Sequence, residues 1–549
     1  MQALELILVL LAVTAALHLL AERLVVPTPV LLVLGGALLA VIPGLPRLVL
    51  SPEVVFLIFV PPLLYWTAFN TSWRDFRDNI RSISLLSVGL VLATMTAVAA
   101  VAHALAPELT WPAAFVLGAI VSPPDPVAVT AVTDRLGIPR TIVTILEGEG
   151  LLNDATALIA FRVSVAAVVA GSFSLGQASL RFLWAAAAGI GVGLVTGWAV
   201  MWVRKKVRDT PVVSNTVSIL TPFVAYIPAE RIGASGVLSV AAVGLYVGRM
   251  NPRVVTPQTR TQAVATWQMI VFLLEGLVFI LIGLELPLAV GALRAYSLQR
   301  LLLLAAAVSG AAILIRLIWV FPSVYLGNLI RRAVGLKERP PQWRGVAFVG
   351  WAGLRGGDSL VIALSIPVTV ASGAPFPGRS LVLFLTFAVI FVTLVLQGLS
   401  LKAVIRLLGL KPDPGAAEEE LQARARMAEA GLRTLKSLSA EEPTEREVLH
   451  ALEEKHRHRS HRYGARLRGE RHDRDEARTG IYRRARLGMI GAERDALLRM
   501  RDEEEISDDV MRDLQNGLDL EQVLLESPEG TQGAIDDVPR IESDVEKPG

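Results

Sequence analysis

The chain contains no cysteine, which excludes a disulfide framework, thiol catalysis and a cysteine-based zinc site. It also carries little charge over most of its length. Residues 1–410 hold 29 Lys+Arg and 17 Asp+Glu, whereas residues 411–549 hold 24 and 33 in only 139 positions. The two parts therefore carry +12 and −9, which sum to the overall +3. Aromatic residues are few, at 6%, and most Trp residues fall near the ends of apolar runs, where interfacial anchors sit. Such an uneven spread excludes a soluble enzyme, a DNA-binding module and a disordered hub. It describes a membrane body followed by a water-soluble tail. The excess of positive charge lies in the membrane part, so it is no sign of a nucleic-acid partner.

The apolar runs lack period-2 alternation, which argues against a β-barrel. Thirteen of them are long enough to cross a bilayer as helices, near 3–21, 27–45, 52–69, 82–106, 112–133, 141–171, 180–203, 211–228, 233–249, 262–290, 299–330, 343–371 and 379–408. The first contains Glu5 in place of a basic leader region, and no small-residue cleavage site follows, so it is expected to be a retained span. Alternate loops, with Arg23, carry 18 Lys+Arg against 6 in the opposite set. This bias predicts an N-terminus outside the plasma (inner) membrane and a cytoplasmic tail. The expected organisation is a transmembrane domain over 1–410, a charged helical regulatory domain over 411–526, and a disordered end over 527–549.

Acids within spans are costly and mark function by default. Those within the predicted spans are Asp125, Glu147, Glu149, Asp154, Glu275, Glu285 and Asp358, with Arg162, Arg316 and Arg355 as the basic residues. Two spans are interrupted, at GAIVSPPDPVAVTAV (118–132) and GWAGLRGGDSLVIALSIP (350–367). Paired interruptions in the two halves of a transporter point to a midplane site. At the first, Ser122 fits an N-cap, Pro123 the first helical position and Asp125 the third, so Asp125 is expected to cap a half-helix, with direct ion ligation as the alternative. Asp358 is expected to cap the matching half-helix.

The sixth span, TILEGEGLLNDATALIAFRVSV (144–165), holds the strongest candidate. Asp154 has no basic residue at i±3 or i±4, so its own helix does not neutralise it. A buried carboxylate left in that state is a proton-accepting group. Asn153 points about 100° away and is expected to hold a neighbouring helix end. Glu149 and Arg355 are expected to form a buried ion pair, with Glu147 competing. Glu275 is weighed between a second titrating acid and a partner of Arg316 or Arg162.

SPPDPVAV (122–129), EGEGLLNDATAL (147–158), FILIGLEL (279–286) and WAGLRGG (351–357), in this order, resemble sodium/proton antiporters of the NhaP and eukaryotic NHE type. The resemblance covers the membrane body, and the tail stretch 491–522 also resembles bacterial members. It implies an all-α membrane protein of about 13 helices, with inverted repeats and two crossed discontinuous helices in the NhaA-like antiporter fold. It implies a homodimer in membrane lipid, exchange of Na+, or of Li+ or K+, for H+, no cofactor, and Asp154 as the ion-binding carboxylate. An Asn–Asp pair at 153–154 goes in that family with electroneutral exchange, and Glu149 with Arg355 matches its structural ion pair. Four positions depart from the pattern. Pro124 stands where Thr is common, Gly150 where Ser is, and Trp66 where a Glu is, while Gly357–Asp358 adds an acid. Candidate cation ligands are then Asp154, Ser122, the Pro124 backbone carbonyl, Thr130 and, as a replacement, Asp358.

A channel with a cytoplasmic sensor is a further alternative, and a K+/H+ antiporter is the nearer one. An intramembrane aspartyl protease is disfavoured because Asn153 and Arg355 break its motifs. In the tail, His456, His458, His461 and His472 cluster with Arg residues, readable as a solvated helix face, a pH or lipid sensor, or a metal site.

Overall fold

A computed structural model describes residues 2–24, 26–42, 52–125, 129, 138–170, 175–208, 210–291, 293, 296–333, 342–370, 372–411, 414–438, 443–467, 473–503, 505 and 508–526. The chain divides into two compact units, residues 1–412 and 413–549.

Among its described residues the first unit's regular elements are all helices, apart from one isolated bridge between Thr369 and Pro375. Its helices are α1 (Gln2–Leu24), α2 (Thr28–Leu39), α3 (Pro52–Asn70), α4 (Trp73–Ser84), α5 (Val91–Leu105), α6 (Trp111–Val121), α7 (Arg140–Ala170), α8 (Leu175–Lys206), α9 (Pro211–Arg231), α10 (Gly236–Val254), α11 (Pro257–Gly291), α12 (Leu298–Ala333), α13 (Trp343–Trp351), α14 (Gly357–Leu364), α15 (Arg379–Val392) and α16 (Leu399–Leu408). Among the described residues, eight helices are long and apolar enough to cross a membrane, and Thr28–Leu39, Phe56–Asn70 and Trp111–Val121 are shorter apolar helices. The predicted span 343–371 contains two short helices, α13 and α14, separated by non-helical backbone at 352–356. Glycines Gly353, Gly356 and Gly357 explain the interruption, because they favour backbone freedom over helix.

Two sequence expectations change here. Residues 74–81, between the expected spans 52–69 and 82–106, lie in the helix α4: Ser72 caps it by accepting the Asp75 N–H at 3.3 Å. It is strongly amphipathic, burying Phe76 and Ile83, and it continues through a π-helical stretch at 85–90 into α5. Arg204, counted as a loop charge, is 1% exposed; its Nε donates to Ser214 Oγ and its Nη1 to Asn251 Oδ1, both at 3.2 Å.

Close approach between α2 and α11 rests on two glycines. A Cβ on Gly36 would strike the Ile280 carbonyl, and one on Gly283 would strike the Val33 carbonyl. Small residues at such a crossing let membrane helices pack backbone to backbone. In the same unit α10 packs against α8 and α3, and α6 against α5 and α7, and Leu151, Ala155, Ala157 and Leu158 in the middle of α7 are buried.

The second unit contains α17 (Pro414–Ser437), α18 (Pro443–Leu467), α19 (Asp473–Asp502) and α20 (Asp508–Glu526), with α17 packed on α18 and α19 on α20. Arg486 joins the latter pair, donating from Nε and Nη2 to the two carboxylate oxygens of Glu521 at 2.6 and 2.7 Å. Hydrogen bonding from Arg486 holds the Glu521 carboxyl below its ordinary range. A carboxyl depressed in the folded state stabilises fully above its unfolded value, and that contribution is lost as pH falls through the depressed one. The protection of α20 amides from hydrogen exchange, taken relative to the intrinsic rate at each pH, is therefore expected to fall as pH falls through the carboxylate range. In Glu521→Gln that protection is expected to be lower at neutral pH and flatter against pH.

Of the four clustered tail histidines, His472 lies outside the described residues, as does the end 527–549, and the His458 side chain is likewise not described. Among the described residues no group of three His, Cys, Asp or Glu is placed to hold a metal.

Candidate functional site

The two interrupted spans meet each other. At the first, α6 ends at Val121; Ser122 Oγ donates to the Ala119 carbonyl at 2.9 Å. This corrects its expected place as an N-cap, because the hydroxyl folds back on the turn before it and closes the first half-helix. Most of 126–137, including Thr130, lies outside the described residues. At the second interruption Gly356 occupies the N-cap position of α14 with no side-chain cap bond. Asp358 thus sits in the first turn without the capping bond expected of it, where a carboxylate still complements the helix end.

Three contacts bind the interruptions together. The Asp125 N–H donates to the Leu354 carbonyl at 2.7 Å. Arg355 Nε donates to the Val121 carbonyl at 2.6 Å, and its Nη1 to the Gly353 carbonyl at 2.6 Å. The Asp125 carboxylate lies hard against Gly356, where a Cβ would collide with Oδ2. Helix α7 clasps the same place, since Asn153 Nδ2 donates to the Pro124 carbonyl at 3.2 Å. The carbonyls freed at each break are thus met by Arg355 and Asn153, which irregular backbone at membrane depth requires.

The expected Glu149–Arg355 pair does not form. Glu149 is held by Arg316 of α12, with Nη1 to Oε1 at 2.5 Å and Nη2 to Oε2 at 2.8 Å, and both side chains are 1% exposed. Arg316 also donates from Nε to the Val349 carbonyl at 3.1 Å. The guanidinium on α12 faces the carboxylate in a planar two-bond fork. Arg355 is taken up by carbonyls instead. Sequence reasoning missed Arg316 as the partner, although a mid-span arginine with no acid on its own helix had to find one elsewhere. The partners weighed for Glu275 are likewise occupied, Arg316 by Glu149 and Arg162 by Glu230.

A cavity lies beside this crossing. Its lining includes Asp125, Asp154, Glu275 and Asp358, together with Gly150 and Thr67 and apolar side chains of α3 and α11, and no basic side chain is among them. Asp154 Oδ1 is buried and has no hydrogen-bond partner, and the same holds for Asn153 Oδ1. Two of the departures are visible here. Gly150 presents no side chain to the cavity. Trp66 stacks between Phe69 and Trp267, with ring centroids 5.9 and 6.0 Å away and interplanar angles of 10° and 11°, so the position where an acid is common belongs to an aromatic stack. Both π-helical stretches touch the site. Ser87 of the first donates to the Glu149 carbonyl at 3.2 Å, and Thr393 of the second (393–398) accepts the Arg355 N–H at 3.1 Å. Such stretches recur at functional positions in helices.

An apolar-walled cavity holding several carboxylates and no basic side chain attracts cations and protons and repels anions. Comparison with known proteins agrees. Residues 8–407 match the family model described as sodium/hydrogen exchanger, transmembrane. An uncharacterized Na+/H+ exchanger of Mycobacterium tuberculosis is 38% identical over 93% of the chain and 94% of its own length. A sodium, potassium, lithium and rubidium/H+ antiporter of Bacillus pumilus is 35% identical over 72% of the chain and 60% of its own length. The solved sodium proton antiporter MjNhaP1 of Methanocaldococcus jannaschii superposes with a TM-score of 0.57 at 18% identity, covering 74% of this chain and all of that one.

Proposed function

The chain belongs to the sodium/hydrogen exchanger family, so it is a multi-pass membrane antiporter of monovalent cations and protons and not an enzyme, and we propose that Asp154 is the carboxylate for which cation and proton compete. One observation carries this: Asp154 Oδ1 is buried, unpartnered and in a cavity with no basic lining residue. A bare carboxylate is costly to carry past an apolar gate, whereas a protonated or cation-bound one is neutral. The empty site therefore does not cross, and each passage carries one ion or the other. One positive charge moves each way, so exchange is electroneutral.

The cation's other ligands are drawn from Asp125, Asp358 and carbonyls at the crossing, including that of Pro124, since a hard cation takes several oxygens. Asn153, Glu149 with Arg316, and Arg355 position these groups without touching the ion. Around this site the membrane body has about 13 spans in inverted repeats crossing at 122–125 and 352–358. It forms a homodimer in the plasma membrane with the tail in the cytoplasm, where the charged helices regulate exchange.

Na+ is the first cation, with Li+ beside it. K+ is the second reading, favoured by the absence of side-chain oxygens at Pro124, Gly150 and Trp66 and by the range of cations in the name of the Bacillus relative. The test is purified protein in liposomes with an imposed pH gradient followed by a dye. Addition of Na+, Li+ or K+ is expected to collapse the gradient, with the apparent KM for the cation rising as pH falls. No collapse with any of the three would end the proposal. Gly356→Ala pushes the Asp125 carboxylate off the crossing and is expected to slow collapse by on the order of ten-fold or more; an unchanged rate would show that the close contact between the two breaks is dispensable.

A further inference from the structure

A second cavity lies beside α7, lined by Leu158, Arg162, Arg181, Trp184, Glu230 and Ser235 among others. It shares no lining residue with the acidic cavity. Yet Leu158 is one turn and Arg162 about two turns along α7 from Asp154. The same helix thus shows Asp154 to one cavity and, further along, Arg162 to another, and Ala155, Ala157 and Leu158 between them are buried.

Arg162 Nη2 donates to Glu230 Oε2 at 2.7 Å. Glu230 is itself fixed, because its Oε1 accepts the backbone N–H of Gly236 at the start of α10, at 3.0 Å. That turn between α9 and α10 is fastened to α8: the Ser235 N–H donates to the Ala185 carbonyl at 2.9 Å and Trp184 Nε1 to the Ile232 carbonyl at 3.4 Å. The ion pair therefore ties α7, which carries Asp154, to a turn anchored elsewhere.

We propose that Arg162 and Glu230 are a positioning pair whose ion pair keeps the second cavity closed off from Asp154, and whose opening gives Asp154 access to the other side of the membrane. The pair has this role only if Asp154 is the transport carboxylate. Its exposure suits it to opening. The Arg162 and Glu230 side chains are 49% and 22% exposed, against 1% each for Arg316 and Glu149. An exposed pair is weak and breaks readily, whereas breaking a buried pair is costly. Glu149–Arg316 is therefore a permanent fastening, and Arg162–Glu230 is a contact that can part once per transport cycle.

The absence of cysteine gives a direct test. Leu158→Cys is introduced into the full chain in proteoliposomes. Its reaction with a membrane-impermeant maleimide is timed from each side, alone, with Glu230→Gln, and with the charges exchanged as Arg162→Glu/Glu230→Arg. Glu230→Gln is expected to speed labelling from one side by about five-fold, the shift that loss of one exposed ion pair gives. It is also expected to change the cation KM on that side more than the maximal rate. Exchanging the charges is expected to restore both in part, because an arginine side chain cannot accept the Gly236 N–H that Glu230 holds. Unchanged labelling with Glu230→Gln, or fast labelling that the exchanged pair does not slow, overturns the proposal. If Glu230→Gln fails size exclusion, Arg162→Gln, which leaves the Glu230–Gly236 bond in place, decides alone: faster labelling from one side upholds the proposal, and unchanged labelling overturns it. Labelling needs no transport, so Asp154→Asn with Leu158→Cys separates the two questions. Retained exchange in that protein would refute the role of Asp154, whatever the labelling shows.

Discussion

Asp154→Asn is expected to bring cation-driven collapse of a pH gradient down to the rate of protein-free liposomes, while leaving the fold intact or steadier. Both halves follow from the same geometry. Asp154 Oδ1 is buried without a partner, and among the described residues no basic side chain lines the cavity around it. The carboxylate is thus a burden on the fold, since burying an uncompensated charge is unfavourable. An amide of the same shape removes that burden and, with it, the group that exchanges a proton for a cation. Trading stability for a functional group in this way is common at active sites. The check is paired: gradient collapse, and the unfolding midpoint of the purified protein in detergent. Lost exchange with an equal or higher midpoint is the expected result. Asp154→Glu keeps the charge on a longer arm and is expected to retain a fraction of the rate.

Glu149→Gln is expected to do the opposite, acting first on the fold. The Glu149 carboxylate meets both Arg316 nitrogens, and the pair is sealed from solvent. Removing one partner of a buried pair leaves the other charge stranded, at a cost of about 3–5 kcal/mol. Arg316 would keep the Val349 carbonyl on Nε and one neutral amide oxygen, with the amide NH2 set against its other nitrogen. The single variant should show a large drop in unfolding midpoint and poor yield of folded protein. Glu149→Gln/Arg316→Met removes both charges and is expected to recover most of that loss, because replacing a buried pair by apolar groups is often near neutral. A double-variant cycle of midpoints measures the coupling. If the double variant is no better than the single one, the pair is not the fastening it is drawn as.

These two carboxylates lie five residues apart on α7, and sequence reading treated them unequally well. That Asp154 Oδ1 stands without a partner is in keeping with a local signal, since no base stands one turn away on its own helix. The interruptions were readable locally too, since Pro and Gly act on the backbone where they stand. The partner of Glu149 was not, because Arg316 and Arg355 are both mid-span bases and spacing along a chain holds no distance between helices. The crossing decides it: Arg355 stands within the break itself, beside the freed carbonyls of Val121 and Gly353, and is spent on them. Ser122 was misplaced because a Ser–Pro–Pro–Asp run fits the start of a helix as well as the end of one. Trp66 appeared as a lost acid, and only the stack with Phe69 and Trp267 shows what fills its place. Charge counting along loops included Arg204, whose burial between Ser214 and Asn251 depends on helices that the sequence does not show touching.

Competition of proton and cation for one carboxylate is tested most directly by proton release. Purified protein in weakly buffered detergent near neutral pH, with a pH indicator, is titrated with Na+ and separately with K+. The cation that collapses the gradient in liposomes is expected to release protons from the wild-type protein and none from Asp154→Asn. Transport of that cation with no proton release from the wild type, or equal release from Asp154→Asn, would contradict a single shared site at Asp154.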